Sequence, residues 1–146
     1  MREEVDIFTD GACRGNPGPG GWAALLRYKS NETSIQGAEE MTTNNRMELQ
    51  AVISALKKLK QPCVINFTTD SKYVIDGIEQ WIVNWKKNGW KTAAKKPVKN
   101  DDLWRQLDKL VEEHEIKWSW VKGHSGHEEN ELVDRLANEA IDNMLL

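Results

Sequence analysis

The sequence predicts an α/β fold: a mixed five-stranded sheet, its first three strands antiparallel, flanked by helices. Three observations carry that reading. Three strand-like runs follow one another at the N-terminus with only short turns between them. A stretch over 46–59 then steps its apolar residues by three and four. Beyond it, two more strand-like runs alternate with helical segments, so the order is β-β-β-α-β-α…α-β-α.

Residues 5–10 read as the first strand, with a mixed pattern suited to a sheet covered on both faces. The Gly/Pro cluster 15–21 reads as a turn without the Lys-Ser/Thr ending of a phosphate-binding loop. Its glycines are expected to keep bulk away from the strand tip. Residues 22–28 and 33–41 are the next strands, joined by the polar turn 29–32. Over 46–59, Leu49, Val52, Ile53, Leu56 and Leu59 form one helical stripe, and Pro62 ends it. Residues 63–70 are a strand. Residues 71–79 and 81–87 read as two short helices, and Pro97 breaks the segment after them. Residues 101–113 are helical through Leu103, Leu107, Leu110 and Val111. Residues 115–121 alternate Ile116, Trp118 and Trp120 with Lys117 and Ser119, as a strand does. The last helix, 128–145, follows the loop KGHSGH.

The chain of 146 residues reads as one domain, 1–146. No apolar run approaches the roughly 20 residues of a membrane span, and the N-terminus opens straight into a strand rather than a signal peptide. Two cysteines suggest neither a disulfide framework nor a zinc site. A cytoplasmic monomer is the default expectation. The net charge is −3, yet the segment 81–100 holds six lysines and no acid, which leaves −9 on the rest. An acidic body with one basic segment suggests a localised polyanion contact.

Three acids fall at element ends. Asp10 closes the first strand, Asp70 closes the fourth, and Glu48 lies in the first turn of the first long helix. Asp134 sits at the margin of the last helix's apolar face, over Asn130 and beside Ile141. Each has an ordinary reading: Asp10 as a turn residue, Asp70 as a helix cap, and Asn45-x-x-Glu48 as a capping box. Together they suggest a carboxylate cluster at adjacent strand tips, which suits a hard cation such as Mg²⁺ or Mn²⁺.

In these contexts the residues resemble bacterial type I ribonuclease H. The matching stretches are IFTDGACRGNPGPGGW, TTNNRMEL, TTDSKYV, WIVNWKKNGWKTAAKKPVKNDDLW and WVKGHSGHEENELVD. The resemblance implies a ribonuclease H-like fold, and Asp10, Glu48, Asp70 and Asp134 as the set holding two Mg²⁺ ions, with Mn²⁺ a substitute. It implies endonucleolytic hydrolysis of the RNA strand of an RNA–DNA hybrid, leaving 5′-phosphate and 3′-hydroxyl ends. His124, in the glycine-flanked loop, is then placed for proton transfer or product release. Reading the 2′-hydroxyl in the minor groove asks for short side chains that donate and accept. Asn16, Asn44 and Asn45 qualify, and the resemblance adds the Cys13 region.

Lys72 and Asp76 stand where the family often has glutamine, and Lys72 is expected to be able to contact a phosphate. Thr43 and Asn84 match a pocket for a DNA-strand phosphate, with Arg46 nearby, and Trp81 matches an aromatic that packs on deoxyribose. The segment 81–100, with Trp85, Lys86 and Lys87, resembles a basic protrusion. Trp85, Trp90 and Trp104 are expected to pack more than to bind, and Trp118 and Trp120 to serve the core or a strand face. His114 is read as an exposed loop histidine. A DNA nuclease of related fold and a hybrid-binding domain without catalysis are the competing readings. The paired asparagines and basic segment argue against the first, and the full acid set against the second.

Overall fold

The computed structural model describes residues 2–123 and 126–146. Its elements run β1 (Glu3–Cys13), β2 (Gly18–Tyr28), β3 (Asn31–Thr42), α1 (Asn44–Lys58), β4 (Cys63–Thr69), α2 (Lys72–Asp76), a π-turn (Gly77–Trp81), α3 (Ile82–Lys87), α4 (Asp101–Glu112), β5 (Glu115–Trp120) and α5 (Glu128–Leu145). The sheet order is β3-β2-β1-β4-β5. β1–β2 and β2–β3 are antiparallel, while β1–β4 and β4–β5 are parallel. Among the described residues no helix is long and apolar enough to cross a membrane.

Strand alternation divides the core between the two faces. Val5, Ile7, Ala24, Leu26, Ile65 and Phe67 point toward α1 and α4, where Leu49, Val52, Ile53, Leu56, Trp104 and Leu107 meet them. Phe8, Ala23 and Leu25 point the other way, onto Val133 and Ala137 of α5. The acid set therefore comes from elements on both sides of one central strand.

Three expectations need correction. The strands are longer than read: Gly18, Gly20 and Gly21 lie within β2, paired to β3 or β1, and are not turn residues. Their work is close packing rather than access. A Cβ on Gly21 would overlap the Ala137 carbonyl of α5, and one on Gly20 would press on Thr42 and Met47. The two short helices are one continuous helical run over 72–87, interrupted by the π-turn, where the Trp104 ring comes so near Gly77 that a Cβ there would overlap it.

His114, finally, is not a free loop residue. It is half-buried, and its Nδ1 accepts the Cys63 amide at 3.0 Å, which pins the start of β4. Burial holds its imidazole below the usual 6.5. The unfolded chain takes that proton at a higher pH than the folded one. Stability therefore falls as pH drops below about 6.5 and is unaffected by this group above it. Urea melts from pH 8 to pH 5 on the parent and on His114→Gln check this. The variant is expected to lose that part of the acid slope, and equal slopes would refute it.

Candidate active site

β1 and β4 pair in parallel up to Thr9 and Thr69, where β4 ends while β1 runs on to Cys13 rather than closing at Asp10. Asp10 and Asp70 are the next residues of each chain run. α1 crosses behind β1 so closely that Gly11 is required there: a Cβ would overlap the Glu48 amide and the Met47 carbonyl carbon. That contact brings Glu48 to Asp10, and the Gly11 N–H donates to the Glu48 carboxylate. Carboxylate oxygens of Asp10, Glu48 and Asp70 lie within 4.8 Å of one another. Asp134 enters from α5 and is hydrogen-bonded to Asp10.

The open cleft around them holds about 410 Å³, with Cys13, Asn44, Gly11, Ala12 and Gly123 completing its lining. None of these described lining residues is a lysine or arginine. A larger cavity of about 470 Å³ at the opposite end of the sheet is mainly apolar and gathers no such set.

Burial, then the charges of Glu48 and Asp70, push the Asp10 carboxyl far above the carboxylate range. A protonated Asp10 donates to Asp134. Burial and the Asp70 charge raise Glu48 as well, partly offset by donors from Gly11, Asp10 and Ser71. The cluster is short of positive charge and retains a proton in its place.

The ordinary readings of these acids do not survive. Ser71, not Asp70, caps α2, its hydroxyl accepting the Val74 N–H at 3.2 Å. Thr43, not Asn45, caps α1, accepting the Arg46 N–H at 3.2 Å. Asp70 and Glu48 are thus left free for the cleft.

The other singled-out residues fall around this centre. The Asn16 side-chain oxygen accepts the Asn44 N–H at 3.0 Å, tying the β1–β2 turn to the start of α1. Asn45 and Asn84 are exposed, and Trp81 is half-buried against Tyr73 and Trp85. The Cys13 thiol lies 2.8 Å from the Gly15 carbonyl. Asp76 ends α2. Arg46 is engaged by Asp102 at 2.8 and 3.0 Å and by the Asn100 side-chain oxygen at 3.2 Å. Lys86 reaches back to Asp108 and Glu112 of α4. Lys87, Lys91, Lys95, Lys96 and Lys99 are exposed. Trp104 is fully buried, Trp85 meets its ring edge-on, and Trp90 meets Trp85 at a tilt, so all three take part in packing. His124 lies outside the described residues.

Sequence reasoning missed two residues. His127 caps α5, its Nδ1 accepting the Asn130 N–H at 3.1 Å. The signal was its place just before Glu128, Glu129 and Glu131, acids that favour a helix start. Trp120, expected in the core or on a strand face, is the exposed last residue of β5, and what the sequence does not signal is that its indole N–H donates to the Asp70 carbonyl at 2.9 Å.

Comparison with known proteins agrees with this geometry. The family model described as RNase H matches residues 2–142. A protein named ribonuclease H from Hydrogenovibrio crunogenus is 64% identical over 142 residues, 97% of this chain and 98% of that one. Another from Alcanivorax borkumensis is 63% identical, over 97% of this chain and 94% of its own. Among solved structures, LC9-RNase H1, described as a type 1 RNase H with the type 2 active-site motif, aligns with TM-score 0.89. It is 33% identical, over 98% of this chain and 74% of that one. LC11-RNase H1, solved with an RNA/DNA hybrid, shares the fold at TM-score 0.74 and 24% identity, over 97% of this chain and 99% of that one. With the family model spanning nearly its whole length and relatives above 60% identical matching it almost end to end, the chain belongs to the ribonuclease H family.

Proposed function

We propose that the chain is a single-domain, monomeric, cytoplasmic endonuclease that hydrolyses the RNA strand of RNA–DNA hybrids, leaving 5′-phosphate and 3′-hydroxyl ends. The observation that carries this is the convergence of Asp10, Glu48, Asp70 and Asp134 on one open cleft of a ribonuclease H fold. One copy of the chain holds the whole set. The donors are all oxygen, and the raised Asp10 and Glu48 lack a counter-charge, which fits hard divalent cations. The four acids would hold two Mg²⁺ ions, with Mn²⁺ a substitute. Such ions supply neutralisation of the anionic diester and activation of water.

The protein groups divide the remaining work. Asp10 gives up its proton when the cleft is loaded, and the Gly11 N–H keeps Glu48 oriented. His124, which follows Gly123 in the sequence, moves a proton at the leaving side or aids product release. Asn16, Asn44 and Asn45, with the Cys13 backbone, read the 2′-hydroxyl. Asn16 spends its oxygen on Asn44, which leaves its NH₂ to donate. Thr43 and Asn84 take a DNA-strand phosphate, Trp81 packs on deoxyribose, and the exposed lysines of the basic protrusion, about 81–100, neutralise further phosphates. Arg46 and Lys86 hold the start of α1 and the protrusion on α4 through their ion pairs. Trp85 lies within that same packing.

Labelled RNA–DNA hybrid, duplex DNA and duplex RNA incubated with Mg²⁺ test the reading. Cleavage confined to the RNA strand of the hybrid is expected. Cleavage of duplex DNA instead would favour a DNA nuclease of the same fold.

A further inference from the structure

We propose that Asn138 is the positioning residue for Asp134, holding that carboxylate in place for the cation it serves. The proposal rests on the reading of the four acids as a divalent-cation site, and it adds a residue outside that set.

Asp134 differs from its neighbours in setting. Asp10 and Glu48 are buried, and the Gly11 N–H and the Ser71 side chain donate to Glu48. Asp134 is half-buried on α5, where its carboxylate meets Asp10. Asp10 is itself an acid of the cleft and draws on the same cations, so it does not orient Asp134 toward them.

Asn138 lies one turn further along α5, on the same side of the helix. Its side-chain nitrogen donates to the Asp134 carbonyl at 3.0 Å and stands 3.5 Å from the Asp134 carboxylate. An amide NH₂ carries two hydrogens, so one nitrogen addresses the main chain and the side chain of the same residue. That arrangement restricts the rotamers open to Asp134. The amide is also neutral, and so supplies a donor without a positive charge that would compete with a metal. Carboxylates that ligate metals are ordinarily held by hydrogen bonds of this kind.

Asn138 is anchored in turn. The Arg14 guanidinium donates to the Asn138 carbonyl at 3.2 Å and pairs with Asp142, one turn beyond, at 2.6 Å. Arg14 directly follows β1, and its backbone N–H donates to the Pro19 carbonyl of β2 at 2.7 Å. The helical turn that bears Asn138 is thereby tied to the tip of the hairpin whose first strand carries Asp10. Asparagine is a poorer helix former than alanine; its donor, not its propensity, suits it to this position.

The test is Mn²⁺ binding to metal-stripped protein, read from the electron paramagnetic resonance signal of free Mn²⁺. Asn138→Ala is expected to weaken binding about tenfold. The metal-free variant should melt within about 2 °C of the parent, because alanine offsets the lost bond by its helix propensity. Asp134→Asn should weaken binding at least as much. Adding Asn138→Ala to it should change nothing further, since the amide acts through that carboxylate. With hybrid as substrate, Asn138→Ala should lower kcat at limiting Mg²⁺, recover at raised Mg²⁺ and keep the parent's KM for hybrid.

Equal Mn²⁺ affinity in Asn138→Ala and the parent would overturn the assignment, as would additive losses in the double variant. A lowered melt with unchanged Mn²⁺ affinity would mark a bond that serves the helix alone, and would overturn it too. Asn138→Leu, which also removes the donor, makes the same comparison if the alanine variant does not fold. Failure of the parent itself to bind Mn²⁺ would sink the reading of the acid set, so the two failures are separable.

Discussion

Asp10→Asn is expected to abolish hydrolysis of the hybrid and at the same time to stabilise the metal-free protein. The activity loss follows from the position of Asp10: its carboxylate is the one shared by every other acid of the cleft, close to Glu48 and Asp70 and bonded to Asp134. Asparagine keeps the shape but not the charge, and a drop on the order of 10³-fold or more is expected from removing a group that acts as part of a unit.

The stability gain follows from the same crowding. Folding buries Asp10 among acids and raises its pKa above the unfolded value of 3.8. Between those two values the folded state binds the extra proton, so the parent loses stability as pH climbs from about 4 toward the folded value. Asparagine is neutral throughout and still donates toward Asp134. Its advantage should be absent near pH 4 and grow with pH, to about 2 kcal/mol at pH 8, or roughly 6 °C in Tm for a chain of this size. Thermal melts in EDTA at pH 4.5, 6 and 8 measure it, and Mg²⁺ should narrow the gap by stabilising the parent alone. An Asn variant that melts below the parent at pH 8, or one that still cleaves hybrid, would contradict the carboxylate assignment.

Gly11→Ala should damage stability and rate together. The added methyl group meets main-chain atoms of Met47 and Glu48, not a side chain that swings away, so α1 must lift off β1. Overpacking of a tight contact costs about 3 kcal/mol, roughly 9 °C at this chain length. The same movement carries Glu48 away from Asp10 and from its Gly11 N–H donor, and a misplacement of about 1 Å in a reacting centre costs on the order of 10²-fold in rate. Gly89→Ala is the control. Gly89 also resists a side chain, through its φ of 66°, but has open space around its would-be Cβ. It should cost about 1 kcal/mol and leave the rate unchanged. Equal effects at Gly11 and Gly89 would show that backbone strain, not helix–strand contact, governs both.

Much of the architecture is legible locally. The bounds of α5 coincide with the residues read as helical, and β4 and β5 end within a residue of their expected limits. Each carries its period within its own span, and nothing outside it competes. The misreadings have a common cause. Gly18, Gly20 and Gly21 signal a turn by residue type, yet neighbouring strands supply their ladder partners and helices press against them. Gly77 gives no hint of a π-turn until Trp104, a distant residue, lies on it. The caps fell to Thr43 and Ser71 rather than to Asn45 and Asp70 because a helix start is fixed by where the chain leaves the sheet, not by which polar residue is the better capper.

The sequence by itself determined the elements, their order and the four acids, because periodicity and residue chemistry are properties of short spans. The tertiary structure alone decided what those acids do to one another. Asp10 and Asp134 are far apart in the chain, and the Asp10 carboxyl does not depart from ordinary behaviour until β1, β4, α1 and α5 are packed. Burial and mutual repulsion then raise the Asp10 and Glu48 carboxyls in one cleft, so that a proton is kept there. The same packing decided which cations are committed within the protein. Arg46 and Lys86 are drawn to acids of α4, whereas the Lys72 ammonium lies over the Trp120 ring. Charge alone does not separate these cases; the partner that each side chain reaches in three dimensions does.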